Sequence, residues 1–174
     1  LMTKTAGLEG TGIIASDMEE QLAGVLTEAE IRRAKGLLRD VSVVPEGIAC
    51  GKIGTSGMHD VTEGGILGAI WEMCHISGLG CEVEVEAIPV EPVTEKIAEH
   101  FGIDWLRLIS SGSMLIVAPV SKAYKIVTEL DARHIRCSVI GKICDSDTGV
   151  MAVHPDGRRE EIAPPSADEL YKAI

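Results

Sequence analysis

Apolar residues recur along the 174-residue chain with periods that change several times, and each change predicts an element. In LTEAEIRRAKGLLRD, Ile31, Ala34, Leu37 and Leu38 fall on one helical stripe, and Thr27 with Glu30 has the spacing of a capping box. Upstream, residues 8–24 place Ile13, Ile14, Met18 and Leu22 at helical intervals. VVPEGIACGKI, residues 43–53, reads as a short helix opened by Pro45 or as a strand, with helix favoured. Ile66, Leu67, Ile70, Trp71, Met73 and Cys74 then predict a largely buried helix over 64–77, ended by Gly78.

CEVEVEAI alternates Cys81, Val83, Val85 and Ala87 with three glutamates, the period of a strand with one dry and one wet face. A helix from about Val93 to Phe101, a helical turn at Trp105 and a buried strand from Met114 to Ala118 follow. Ser121 is positioned to cap a helix carrying Tyr124, Val127 and Leu130. IRCSVIGKI reads as one strand, residues 148–164 as a hairpin turning at Pro155-Asp156-Gly157, and SADELYKAI as a final short helix.

This order lacks the strict strand–helix cadence of a Rossmann sheet. It predicts an α/β (α+β) fold, a mixed β-sheet flanked by helices, in a single domain spanning 1–174. With one Phe, two Trp and two Tyr, the core must be aliphatic. The 27 acidic and 16 basic residues give a net charge of -11, which argues against nucleic acid and anionic lipid as partners. Cys50, Cys74, Cys81, Cys137 and Cys144 form no C-x-x-C pair and read as reduced thiols of a cytoplasmic protein. No run approaches the roughly 20 apolar residues of a membrane helix. The opening LMTKTAGLEG has no initiator Met and reads as a strand entering a turn, so the chain is expected to be a piece of something longer.

The stretch with most chemistry is SGMHDVTEGGILGAIWEMCHISG, residues 56–78. A helix start carries unpaired N–H groups and partial positive charge, so it stabilises an anion. Gly64 and Gly65 leave room for a phosphate oxygen to approach the backbone. Asp60 and Glu63 would repel a bare phosphate, but Mg²⁺ between them takes carboxylate and phosphate oxygens together. The plainer alternative is that Asp60 or Thr62 caps the helix and the glycines serve packing. Ser110, Ser111, Gly112 and Ser113 either line a polar pocket or make an ordinary turn into the strand. A metal-dependent hydrolase using His59 and Asp60 would need further ligands, and His75, His100, His134 and His154 have no ligand spacing among themselves.

HDVTEGG opening a helix, EAIPV after an alternating strand, LISSGSMLIVAP, and VIGKI before a terminal hairpin occur in an order that resembles the C-terminal domain of the aminoimidazole ribonucleotide (AIR) synthetase superfamily. The resemblance covers about residues 40–165 and is nearest to the hydrogenase maturation branch. It implies an ATP-dependent enzyme whose glycine-rich helix start faces a cleft shared with its own N-terminal domain, with residues 1–40 as lead-in from that domain. It further implies Mg²⁺ and ATP as cofactors, Asp60 as a metal ligand, and Asp60, Thr62, Glu63, Gly64, Gly65, Ser110, Ser111 and Gly112 along the phosphate or nucleotide site. A nucleotide or phosphorylated small molecule, a homodimer and a maturation-protein partner are the implied associations. The chain ends LYKAI, without the terminal cysteine of the maturation branch, and alone it is expected not to turn over.

Overall fold

The capping box at Thr27 closes as its spacing requires. The Thr27 hydroxyl accepts the Glu30 N–H at 3.3 Å, and Glu30 Oε2 accepts the Thr27 N–H at 2.8 Å. This starts α2 (Glu28–Gly36) in the computed structural model, which describes residues 1–174. Lys96, from another helix, also bonds Glu30. That lysine hydrogen bond and those from Thr27 hold the Glu30 carboxyl at about 2, below its ordinary 4.5. A depressed folded-state pKa means that the contribution is complete above pH 4.5 and fades as pH falls towards 2. Thr27→Ala is expected to cost about 1 kcal/mol in urea unfolding at neutral pH. Lys96→Met should shrink the acid-dependent part of the stability, and superimposable pH profiles for variant and parent would contradict the assignment.

The other helices are α1 (Leu8–Asp17), α3 (Val44–Ile53), α4 (Gly65–Ser77), α5 (Pro92–Phe101) and α6 (Val120–Asp131). Pro45 sits in the first turn of α3, where its missing N–H costs nothing, so the helical alternative holds. Helix α4 ends at Gly78 with φ 67°, as its pattern predicts. No helix is long and apolar enough to cross a membrane.

The expected α/β fold holds, with its strands divided between two four-stranded sheets, one of them mixed. In one, the order β2-β4-β1-β5 joins β2 (Gly57–Asp60), β4 (Met114–Val117), β1 (Met2–Thr3) and β5 (Cys137–Ser138), all antiparallel. In the other, the order β6-β3-β7-β8 joins β6 (Gly141–Cys144), β3 (Gly80–Glu84), β7 (Val150–Val153) and β8 (Arg159–Glu161), with β3 parallel to β7. IRCSVIGKI is therefore two strands that leave one sheet and enter the other, with Ile140 buried at the joint. The predicted alternation beyond Glu84 gives way to a tight helical turn at Val85–Ala87.

Helix α6 is preceded by Pro119, whose ring fixes φ at −56°, and Ser121 provides no cap. Its core face is Ile126 and Leu130, while Tyr124 is exposed. The strand β2 was hidden because Gly-Met-His-Asp carries no apolar run; its pairing with β4 supplies the order. Ile66, Leu67, Ala69, Ile70 and Cys74 of α4 pack between the sheets on Met2, Leu115, Cys81, Val83 and Ala152. Complete burial of a side chain such as Ile66 contributes roughly 1.5–3 kcal/mol, so this packing fixes where the glycine turn sits.

Candidate functional site

Strand β2 delivers Asp60 to the sheet end, paired with Met114, and buried Val61 donates its N–H to the Ser113 carbonyl at 2.9 Å. The chain then turns through Thr62 and Glu63 into Gly64 (φ 81°) and Gly65 (φ 62°), where α4 starts. Asp60 has 58% of its side chain exposed, and Thr62 and Glu63 are also exposed. Gly64 and Gly65 are buried. His59 turns back, with Nδ1 on the Asp60 carbonyl and Nε2 3.3 Å from Glu72 Oε2. The structure thus groups Asp60, Thr62 and Glu63 on an open edge and encloses the glycine pair behind them.

Neither Asp60 nor Thr62 caps α4 with its side chain, which corrects the capping part of the plainer expectation; its other part, glycines that serve packing, agrees with the close approach of Gly65 to the Leu106–Arg107 backbone. Thr62 contributes only its carbonyl, to the Gly65 N–H at 3.2 Å. The anion at the helix start comes instead from the C-terminal tail. Asp168, 3% exposed, accepts the Gly64 N–H at 2.7 Å, the Ile109 N–H at 3.1 Å and the Leu170 N–H at 2.9 Å. Pro165 covers Gly64, and the Tyr171 hydroxyl donates to Glu63 Oε1 at 3.4 Å. Sequence reading missed Asp168 because nothing local marks a partner so distant along the chain; its spacing to Leu170, as the start of a helical turn, was the sole signal.

The second predicted group lies inside the fold. Ser110 is fully buried; its hydroxyl accepts the Leu8 N–H at 3.1 Å, and its single proton lies between the Thr5 carbonyl at 3.2 Å and the Ser113 oxygen at 3.0 Å. Ser113, also fully buried, donates to the same carbonyl at 2.6 Å. Gly112 (φ 106°) packs on the Asp40–Val41 backbone and its carbonyl accepts from Lys4 Nζ at 2.8 Å. Ser111 is half-buried. This segment ties β1, β4 and the α2–α3 connection together.

No three His, Cys, Asp or Glu side chains gather closely enough to hold a metal ion. The exposed carboxylates of Asp60 and Glu63 are hard oxygen donors that suit Mg²⁺, provided that the remaining ligands come from water or substrate phosphate. Two larger cavities lie elsewhere. One, about 450 Å³, is apolar, between α4, β3 and β4, and includes Cys74 and Cys81. The other, about 490 Å³, is polar, at the end of β1 beside the start of α3.

The two-sheet α/β domain, with a glycine turn at the start of its central helix, falls in a known class of C-terminal domains. Residues 1–154 match the family model "AIR synthase related protein, C-terminal domain", and the chain belongs to that family. Carbamoyl dehydratase HypE of Rhodobacter capsulatus is 26% identical over 127 residues, covering 73% of this chain and 35% of that protein. The crystal structure of Escherichia coli HypE superposes with a TM-score of 0.79 at 23% identity, over 99% of this chain and 52% of that one. A crystal structure of HypE in complex with ATP superposes with a TM-score of 0.60 at 19% identity, over 71% of this chain and 39% of that one. The chain spans about a third of the length of the curated relative.

Proposed function

We propose that this chain is the C-terminal half of a carbamoyl-dehydratase-like protein, in which phosphoryl transfer from ATP activates an oxygen of a small or protein-bound group. The observation that carries the reading is the exposed trio Asp60, Thr62 and Glu63, standing at the end of β2 in a chain of this family. In the two-domain protein, Asp60 and Glu63 hold Mg²⁺ and the Thr62 hydroxyl meets a phosphate oxygen. Magnesium supplies charge neutralisation when bound; the chain itself positions the anion and shields one side of it with the covered glycine turn. Nucleotide contact, homodimer formation, a maturation-protein partner and a cytoplasmic setting belong to the same proposal.

The experiment is Mg·ATP titration of the two-domain protein by calorimetry. Asp60→Ala should weaken affinity at least about tenfold, the loss of one charge-assisted contact. Unchanged affinity would defeat the proposed role.

A second reading, a non-catalytic assembly module, is favoured by one observation: the Gly64 amide already holds Asp168. On that reading Asp60→Ala leaves affinity untouched, and the glycine turn serves only to dock the tail.

A further inference from the structure

The polar cavity at the end of β1 reverses the charge of the whole molecule. Its lining carries five lysine and arginine side chains against three carboxylates, in a chain with a net charge of -11. Internal pairs consume part of this excess. Arg33 is held by Glu91 at 2.7 Å, Arg133 by Glu129 at 2.8 Å and Lys4 by the fully buried Glu46 at 2.8 Å. Arg39 and Arg136 are left with no carboxylate partner and no side-chain hydrogen bond; Asp40, on the same lining, makes no ion pair within 4 Å, and its charge acts on Arg33. Arg107 is the one other arginine without a carboxylate partner, and it bonds the Ala163 carbonyl.

The cavity floor is rigid. Lys4 Nζ donates to the carbonyls of Asp40, Ser42 and Gly112 at 2.9, 2.7 and 2.8 Å besides its ion pair with Glu46. With three protons and four acceptors it has nothing left for a ligand. Lys4 (φ 56°) and His134 (φ 60°) are the two non-glycine residues of the chain with left-handed backbone, and both line this cavity. Strain of this kind persists where surrounding structure over-determines it, and it concentrates at binding sites. The ten-residue helix α3 also begins here, with Pro45 and Glu46 of its first turn on the lining; the Ser42 hydroxyl accepts the Val44 N–H at 3.4 Å, and the buried Glu46 carboxylate offsets the helix's positive end.

We infer that this cavity binds a small phosphorylated metabolite: Arg39 and Arg136 hold the phosphate, and Asp40 accepts a hydrogen bond from a hydroxyl elsewhere on the ligand. Two arginine forks suit a phosphate better than lysines do, because each offers parallel N–H groups. A volume of about 490 Å³ lies within the range of small-molecule sites. This site shares no residue with the Asp60 edge and does not rest on the function proposed for that edge.

Calorimetric titration of the 174-residue chain with glucose 6-phosphate, inorganic phosphate and glucose tests the inference. Glucose 6-phosphate should bind saturably at low ionic strength, inorganic phosphate more weakly, and glucose not at all. Arg39→Ala and Arg136→Ala should each weaken glucose 6-phosphate at least about tenfold. Asp40→Ala should lower affinity for glucose 6-phosphate while leaving inorganic phosphate no weaker, and Arg107→Ala should change neither. Arg39 and Arg136 are exposed, so melting temperatures should confirm that these variants fold. Absence of saturable binding of both phosphates at millimolar concentration overturns the inference, as does undiminished binding in the Arg39/Arg136 double variant. Loss of binding in Asp60→Ala, with both arginine variants normal, places the anion at the other site and overturns it equally.

Discussion

Asp168→Ala is expected to destabilise the chain by about 3–5 kcal/mol, measured as the shift in urea unfolding midpoint at constant slope. The carboxylate is 3% exposed and accepts three backbone N–H groups, from Gly64, Ile109 and Leu170. Removing it strands all three. An unsatisfied buried donor costs about 1–3 kcal/mol, and the sum falls short of three full penalties because water enters a tail site more easily than a core. Asp168→Asn retains one acceptor but presents N–H to N–H, so it should lose about half as much. The same variants should speed hydrogen exchange of the Gly64 amide, reporting that the start of α4 has lost its anion. A loss below about 1 kcal/mol for the alanine variant would show that the tail docks without this carboxylate.

Asp168 also separates the two functional readings. The helix start does attract an anion, as its dipole and free amides require. The anion in place belongs to the chain itself. A phosphate bound through the Gly64 amide has to displace Asp168, whereas a magnesium-bound phosphate on Asp60 and Thr62 does not, because both lie on the exposed edge. Catalysis on the edge is therefore compatible with a docked tail, and the glycine turn then acts by shaping the edge rather than by touching the nucleotide.

Physical periodicity explains what was legible in the sequence. Helices α2, α4 and α5 declare themselves by apolar stripes and by terminators such as Gly78, because the interactions that make them are local. The hairpin of β7 and β8 is legible for the same reason, since its turn residues are its cause. Strand β2 was not, because Gly-Met-His-Asp becomes a strand only when β4 offers its free edge. The division of IRCSVIGKI between two sheets was equally hidden: pattern predicts extension but not partner. At the site, the residues of the turn were legible and their partners were not. Ser110 looked available until Thr5 and Leu8, some hundred residues away, consumed its hydroxyl. The polar cavity escaped because Arg39 and Arg136 are far apart in the sequence and line one cavity only through the fold.

Gly65→Ala is expected to cost about 4 kcal/mol or more, and comparison with Gly78→Ala isolates the reason. Both glycines have nearly the same left-handed backbone, φ 62° and 67°, so both substitutions incur the roughly 1–2 kcal/mol of an alanine held there. Their surroundings differ. A Cβ at Gly78 meets nothing within 4 Å. At Gly65 it lies 2.6 Å from the Leu106 carbonyl oxygen and 2.7 and 2.8 Å from Arg107 backbone atoms. None of these belongs to a flexible side chain that swings aside. The 104–107 turn is itself pinned: Asp104 accepts the Leu106 and Arg107 N–H groups at 2.9 and 3.0 Å, and Glu169 of the tail holds the Asp104 N–H at 3.2 Å. Relieving the clash must therefore shift α4 away from the turn and loosen the tail that Asp168 fastens. Gly65→Ala should consequently couple to Asp168→Ala in a double-mutant cycle, each costing less in the presence of the other, while Gly78→Ala should add independently. Equal losses for the two glycine variants would show that backbone conformation, not close packing against the 104–107 turn, is what position 65 requires.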